Sequence, residues 1–422
     1  MIKRTILHRI EEHLPSDQMT ILTGPRQVGK TYLMRLIHDR LKNESKKTIW
    51  LNLDVKEDAT RVVSQEILLA YIQLQVGKEK AYVFIDEIQR IEDAGLFLKG
   101  LYDMHTPYKF IISGSGSLEL KAKITESMAG RKRLFAIDPI SFEEFVSFKT
   151  DYAYEDRLQN LFTIEKGRIE RFLAEYLVFG GYPRIILAET AQEKQSEMQE
   201  IYASYIDKDI LDLLHLEKSE AFTNLLKIIA SQIGSSVTMT DLASTVGIDE
   251  KTIKHYLWYL EQTFIVKKVT PFFRNTRSEI TKSPVYYFID NGLRNWLLGL
   301  FGLPEIPSTM SGHLFENLIY NNLRFSTQLT ATQIHFWRTR DQAEVDFVLV
   351  SGLNAMPIEV KHTKLTKSEL SRSFRSFLTK YKPKRAYYVH LGEYFEDTFE
   401  DTKIYYLPFY QAQAIIKDLN RI

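Results

Sequence analysis

Met19-Thr-Ile-Leu-Thr-Gly24-Pro-Arg-Gln-Val-Gly29-Lys30-Thr31 is an apolar run that reaches a glycine and closes on Gly-Lys-Thr. The run reads as a buried strand, the segment Thr31–Lys42 as a helix, and the eight residues between them fit G-x-x-x-x-G-K-T. A strand, a glycine-rich turn and a helix N-terminus in that order make an anion site. The loop Gly24, Pro25, Arg26, Gln27, Val28 and Gly29 wraps the phosphates, its backbone N–H groups (Pro25 having none) and the positive helix end facing phosphate oxygens, and glycine lets the backbone approach them closely. In such a site Lys30 meets the β- and γ-phosphates of a nucleotide and Thr31 ligates Mg²⁺.

Further β-rich runs surround it at Thr48–Asp54, Ala81–Asp86, Lys109–Ser113 and Arg133–Ile137. Helical patterns lie between them, including Arg61–Val76, and this alternation predicts a parallel sheet covered on both faces. Ala81-Tyr-Val-Phe-Ile-Asp86-Glu87 ends in two carboxylates. Asp86 is placed to hold Mg²⁺ through water and Glu87 to orient the attacking water, while the plainer role for Asp86 is to cap the next helix. At the end of the following strand Ser113 or Ser115 is a candidate to sense the γ-phosphate, the competing role being that of a hydroxyl-rich turn. Phosphoryl transfer needs a cation at the transition state, often from a neighbouring subunit. Arg131 in Ala129-Gly-Arg131-Lys-Arg133 is the candidate, with a solvated basic turn as the alternative; if the cation comes from a neighbouring subunit, the chain is a homo-oligomer. No N-K-x-D guanine-reading segment occurs, so ATP is the expected nucleotide.

The remainder bounds what else the chain does. Its 422 residues suit two to three domains, 44% apolar and 26% charged residues are ordinary globular material, and a net charge of +1 gives no bulk field for polyanions. There is no cysteine, which excludes disulfides, thiolate metal sites and cysteine nucleophiles and fits a reducing cytoplasm. The N-terminus has no signal core and no apolar run approaches a membrane span, so no membrane role is expected.

Thr240–Leu257 reads as a helix-turn-helix with Gly247 in the turn, and the β-rich runs Phe264–Pro271 and Val285–Ile289 would form a wing. Between Lys251 and Lys282 seven Lys or Arg face two Glu, the charge of a groove-binding module, although domain docking is an equally natural use. Gly299–Ser311 reads as a connector. Beyond it, Glu344-Val-Asp346 and Glu359-Val-Lys361 flank a turn at Ser351–Asn354. Strand alternation and a four-residue turn would set Asp346 opposite Glu359 and Glu344 opposite Lys361, all on one face, unless the register slips by one. Such acids suit a Mg²⁺ site with Lys361 orienting water, and Glu316 can deliver another acid from a helix. Buried ion bridges are the alternative. From Lys361 to Arg385 nine Lys or Arg face one Glu, which suits a nucleic-acid phosphate backbone, DNA being the candidate partner and a solvated charged face the alternative.

Gly24–Thr31, Phe84-Ile-Asp-Glu-Ile-Gln89, Ser113–Ser117, Ser127-Met-Ala-Gly-Arg131, Pro139-Ile-Ser-Phe-Glu-Glu-Phe145, Gly180-Gly-Tyr-Pro183 and Glu359-Val-Lys361 together resemble the AAA-type ATPases of bacteria and archaea that carry a nuclease-like C-terminal domain. The C-terminal set resembles the PD-(D/E)xK nuclease superfamily, with Asp346, Glu359 and Lys361 matching its core residues and Glu316 its helix acid. The resemblance implies an ATPase core with a helical lid. The expected fold is therefore α/β: a P-loop NTPase parallel sheet (1–138), a helical lid or linker (139–225), a winged helix-turn-helix (226–298) and a small restriction-endonuclease-like α/β domain (299–422).

Overall fold

The computed structural model describes residues 1–114, 128–205, 219–273, 283–328, 330–339 and 343–419. Five strands, β1 (Met19–Thr23), β2 (Thr48–Asn52), β3 (Ala81–Asp86), β4 (Tyr108–Ser113) and β5 (Lys132–Ala136), form a parallel sheet in the order β2-β3-β4-β1-β5. The order follows from the side chains. Central β3, β4 and β1 are buried at nearly every residue, whereas edge strand β2 alternates buried with half-buried positions and edge strand β5 buries only Phe135. Helices α1 (Ile6–Glu12) and α2 (Lys30–Asn43) pack on one side through Ile6, Ile10, Leu33, Met34 and Ile37. The helix expected from Arg61 starts later. A short α3 (Lys56–Thr60) is followed by α4 (Gln65–Val76), because Ser64 is extended and its hydroxyl accepts from Ile67 N. Helix α5 (Ala94–Asp103) completes this half.

Residues after the sheet are helical: α6 (Phe142–Lys149) behind a Ser141/Glu144 capping box, α7 (Leu158–Ile164), α8 (Lys166–Phe179), α9 (Pro183–Leu187) and α10 (Ala191–Ala203). The break between α8 and α9 is a packed junction. A Cβ on Gly180 (φ +76°) would meet the Asp290 carboxylate at 2.3 Å, and one on Gly181 would meet Ile140 O at 2.3 Å. Gly181 N donates to Asp290 (2.6 Å) and Ile140 N donates to Gly181 O (2.7 Å), so the two glycines hold three parts of the chain together.

Helix α11 (Ser219–Ser231) precedes α12 (Met239–Val246) and α13 (Glu250–Gln262). Gly247, at φ +77°, ends α12 and the Asp249 side chain caps α13. An antiparallel ribbon of β6 (Val266–Val269) and β7 (Val285–Phe288) follows, then α14 (Asn291–Leu297). Arg274, Arg277 and Lys282, counted in the basic run, lie outside the described residues.

The C-terminal unit begins with α15 (Ser308–Thr327), so the connector is shorter than expected. Strands β8 (Gln333–Arg338), β9 (Glu344–Ser351) and β10 (Asn354–Lys361) form an antiparallel meander. Helix α16 (Arg372–Tyr381) then leads to β11 (Arg385–His390), parallel to β10, and β12 (Phe395–Phe399) and β13 (Thr402–Pro408) extend the sheet to the order β12-β13-β11-β10-β9-β8. Helix α16 covers one face through Phe374 and Phe377, and α15 covers the other through Leu314, Phe315 and Leu318. Phe409 touches both Phe142 (5.5 Å between ring centroids) and Phe315 (5.9 Å), so the helical segment and this unit share one apolar core. Among the described residues no helix is long and apolar enough to cross a membrane.

Candidate active site

The phosphate loop leaves the C-terminal end of β1 and is shaped by its glycines. Gly24 (φ +150°) lies so close to Ile137 that a Cβ would sit 2.2 Å from its carbonyl oxygen, and Gly29 (φ +97°) opens α2. Gln27 adopts φ +58° without being glycine. Buried Lys30 curls back over the loop, donating to Gly24 O (3.0 Å) and Pro25 O (2.6 Å). Thr31 stands in the first turn of α2. The loop is also braced from behind: Arg4 donates from Nη1 to Val28 O (3.1 Å), from Nη2 to Asp138 O (2.6 Å) and from Nε to Glu144 (3.1 Å). Arg4 lies outside every motif, two residues before α1, and no local pattern singles it out.

Asp86 and Ser113 end neighbouring strands beside the loop. Asp86 is 2% exposed, and the Ser113 hydroxyl donates to it while accepting from Glu87 N (3.3 Å). One hydroxyl therefore ties the two acidic positions together. Expected as a phosphate sensor, Ser113 here spends its proton on Asp86. Glu87 itself sits in the left-handed region (φ +61°, ψ 44°) and accepts from the Gln89 amide. Ser115 lies outside the described residues.

Arg131 is at the wrong end of the sheet to act in its own chain. Met19 N donates to Arg131 O, so it lies at the N-terminal edge, a full five-residue strand (about 16 Å) from the loop. Its guanidinium pairs with Asp103 (2.8 Å). Only a contact from another subunit keeps the expected role. From the helical segment Arg184 also reaches the loop, its Nη1 donating to Gln27 (3.2 Å).

The C-terminal acids gather differently from the expectation. Strands β9 and β10 pair from Ser351↔Asn354 to Phe347↔Ile358, the register expected, but a bulge against β8 falls between Trp337↔Val345 and His335↔Val348. Asp346 and Phe347 thus oppose Phe336 together, which breaks the alternation that would have set all four polar residues on one face. In parallel β11, Glu359 pairs with Tyr388 and Lys361 with His390, on the face that α16 covers. Glu316 comes from α15, on the other face. Each acid has a local partner: Asp346 accepts from Val360 N (2.7 Å), Glu359 from Lys361 Nζ (2.8 Å) and Glu316 from the Tyr287 hydroxyl. Burial, then neighbouring acids, pushes Glu316 well above the usual carboxylate range, and burial and Asp346 push Glu359 up to about 8. Among the described residues no three His, Asp or Glu side chains converge closely enough to hold a metal ion. Glu316, Asp346 and Glu359 thus lie near enough to raise one another's titration without converging on one point in this arrangement.

On α13, Lys251, Lys254, His255 and Trp258 form an exposed stripe, with Trp258 stacked on His255 (14° between planes). This face docks on nothing else among the described residues that buries it.

Residues 16–146 match a family model described as an AAA domain. This segment is similar to AAA domains. The five-stranded parallel sheet with its phosphate loop is the α/β P-loop fold that the AAA domain requires, and that fold implies nucleotide binding. Beyond the AAA domain, residues 170–303 and 311–410 match families described as domains of unknown function (DUF8612 and DUF4143). The chain is 25% identical over 399 residues to a Mycobacterium tuberculosis protein described as uncharacterized, covering 93% of this chain and 80% of that one. It is likewise 25% identical over 382 residues to one from Methanocaldococcus jannaschii, covering 89% and 81%. Among solved structures, the replication initiator DnaA bound to AMPPCP and single-stranded DNA is 12% identical with a TM-score of 0.28, covering 62% of this chain and 90% of that one. A katanin structure is 16% identical at a TM-score of 0.24, covering 35% and 56%. At TM-scores this low neither neighbour says anything of what this chain does.

Proposed function

We propose that the chain binds and hydrolyses ATP with Mg²⁺ at Gly24–Thr31, Asp86 and Glu87, and that its nucleotide state governs a C-terminal nuclease-like domain that meets DNA. In this reading residues 139–225 are the lid, 226–298 a winged helix and 299–422 the nuclease-like unit. The order of α15, the β8–β10 meander, α16 and parallel β11 is what supports the last assignment.

The Thr31 hydroxyl and the Asp86 carboxylate are hard oxygen donors at adjoining strand and helix ends, a set that suits Mg²⁺; the ion, when bound, neutralises charge on the β- and γ-phosphates. Lys30 exchanges its two loop carbonyls for phosphate oxygens. Glu87, set by its left-handed backbone and by Gln89, orients the water that attacks the γ-phosphate.

One observation carries the coupling. Arg4 grips both the phosphate loop and Asp138, and the Asp138 carboxylate pairs with Arg324 (2.7 Å) and accepts from Gln328 (2.6 Å) at the C-terminal end of α15. Two turns earlier the same helix carries Glu316. A displacement of the loop is thus passed to the acid cluster through buried polar contacts and one rigid helix.

As arranged, Glu316, Asp346 and Glu359 do not fit a divalent ion, and no cleavage step is assigned to them. That observation favours a second reading, in which the C-terminal unit is an inactive docking module switched by nucleotide. The deciding experiment is DNA cleavage under Mg²⁺ or Mn²⁺, with and without ATP, for wild type, Lys30→Ala and the Asp346→Ala/Lys361→Ala double variant. ATP-dependent cutting lost in both variants supports the nuclease; intact ATP turnover with no cutting on any substrate supports the docking module.

A further inference from the structure

The helical segment brings a cation to the phosphate loop across 157 residues of sequence. Arg184 follows the pinned Gly180-Gly181-Tyr182-Pro183 junction and lies in the first turn of α9. Its guanidinium is divided between two partners. Nη1 donates to Gln27 Oε1 in the loop (3.2 Å), while Nε and Nη2 face the two oxygens of Glu197 on α10 (2.5 and 2.9 Å). Gln27 is held from the same side, its amide donating to Ser204 Oγ (3.3 Å). The Arg184 side chain is 50% exposed, so it is free to leave these partners.

We propose that Arg184 is the arginine that meets the terminal phosphates of the nucleotide and neutralises charge in the transition state, in its own chain. The inference rests on the ATPase reading above. Gln27 is part of the loop that wraps the phosphates, so a guanidinium already bonded to it needs only to exchange an amide oxygen and a carboxylate for phosphate oxygens. The planar fork that Glu197 now occupies side-on is the geometry that grips two phosphate oxygens. During hydrolysis the water oxygen forms a bond to the γ-phosphorus as the bond to the β–γ bridging oxygen breaks. The water proton passes towards Glu87, and ADP and inorganic phosphate are released. Arg184 is placed to hold the charge that grows on the leaving oxygens.

The test uses the full chain with Mg²⁺: steady-state ATP turnover, affinity for a fluorescent ATP analogue, and melting temperature, for wild type, Arg184→Ala, Arg184→Lys and Arg131→Ala. The expected result is a loss of about 10²–10³-fold in kcat for Arg184→Ala, with analogue affinity changed by less than about fivefold and no fall in melting temperature. Arg184→Lys recovers little of the loss, since lysine lacks the fork. Turnover within twofold of wild type in Arg184→Ala overturns the inference, as does loss confined to Arg131→Ala, which would return the role to a neighbouring subunit. Absence of turnover in the wild type is a separate outcome that overturns the ATPase reading on which the inference stands.

Discussion

Glu87 and Asp290 show how single residues here are held in states their chemistry alone would not choose. Glu87 has a backbone conformation that a non-glycine residue seldom adopts, and its carboxylate is aimed by Gln89. Replacing Glu87 with Gln keeps the shape and removes the charge that orients water. ATP is then expected to bind with near wild-type affinity while turnover falls by about 10²–10⁴-fold, as read by analogue binding and phosphate release. Lys30→Ala should instead lose binding itself. Asp290 is buried among the backbone N–H groups of Gly181, Gly292 and Leu293. Burial outweighs those donors and pushes its carboxyl up to about 6. The folded chain therefore keeps a proton that the unfolded chain releases near pH 4, so stability falls as pH rises from about 4 to about 6 and is level above. The change is at most about 3 kcal/mol. Urea midpoints of wild type should decline across that window relative to those of Asp290→Asn, whose constant offset leaves the slope as the readout.

Among the elements, the junction between α8 and α9 is where packing leaves least room. Gly181→Ala would drive a methyl into Ile140 O, and Gly180→Ala would strike Asp290 from a left-handed backbone. Either should lower the melting temperature by several degrees, equivalent to roughly 1–3 kcal/mol, and displace α9 from the phosphate loop. The strands of the parallel sheet were legible because each central strand is a mostly apolar run bounded by polar turns. The motif Gly24–Thr31 was legible because its glycines mark backbone that other residues cannot follow. The site at the C-terminal sheet was only half legible. Alternation and turn length correctly set β9 against β10, but a bulge at Asp346–Phe347 has no signature in residue type, and it takes Asp346 out of the strand's alternation. Arg184 and Arg4 were invisible for a different reason: each acts through contacts that close over more than a hundred residues of chain, and no local pattern records them.

At the scale of the molecule, the phosphate loop, the helical segment and the C-terminal sheet are joined by buried polar contacts as well as by shared apolar packing. The contact most open to test is Asp138–Arg324, 8% and 14% exposed at the side chains. In wild type, adding ATP should change amide exchange along α15, including the turn that carries Glu316. Arg324→Ala should abolish that change while leaving ATP turnover in place, and should destabilise the fold by about 3–5 kcal/mol because Asp138 stays buried without its partner. Unaltered exchange in α15 on ATP addition to the wild type would sink the proposed coupling.

Helix α15 holds Arg324 and Glu316 eight residues apart, about 12 Å along one axis. Such an arrangement has a genetic consequence. A substitution on α15 that suits the acid cluster cannot avoid altering the seat of Asp138, so changes in this helix should be pleiotropic. Partial-loss alleles of the phosphate loop should yield second-site suppressors here, far away in sequence and on the opposite side of the junction.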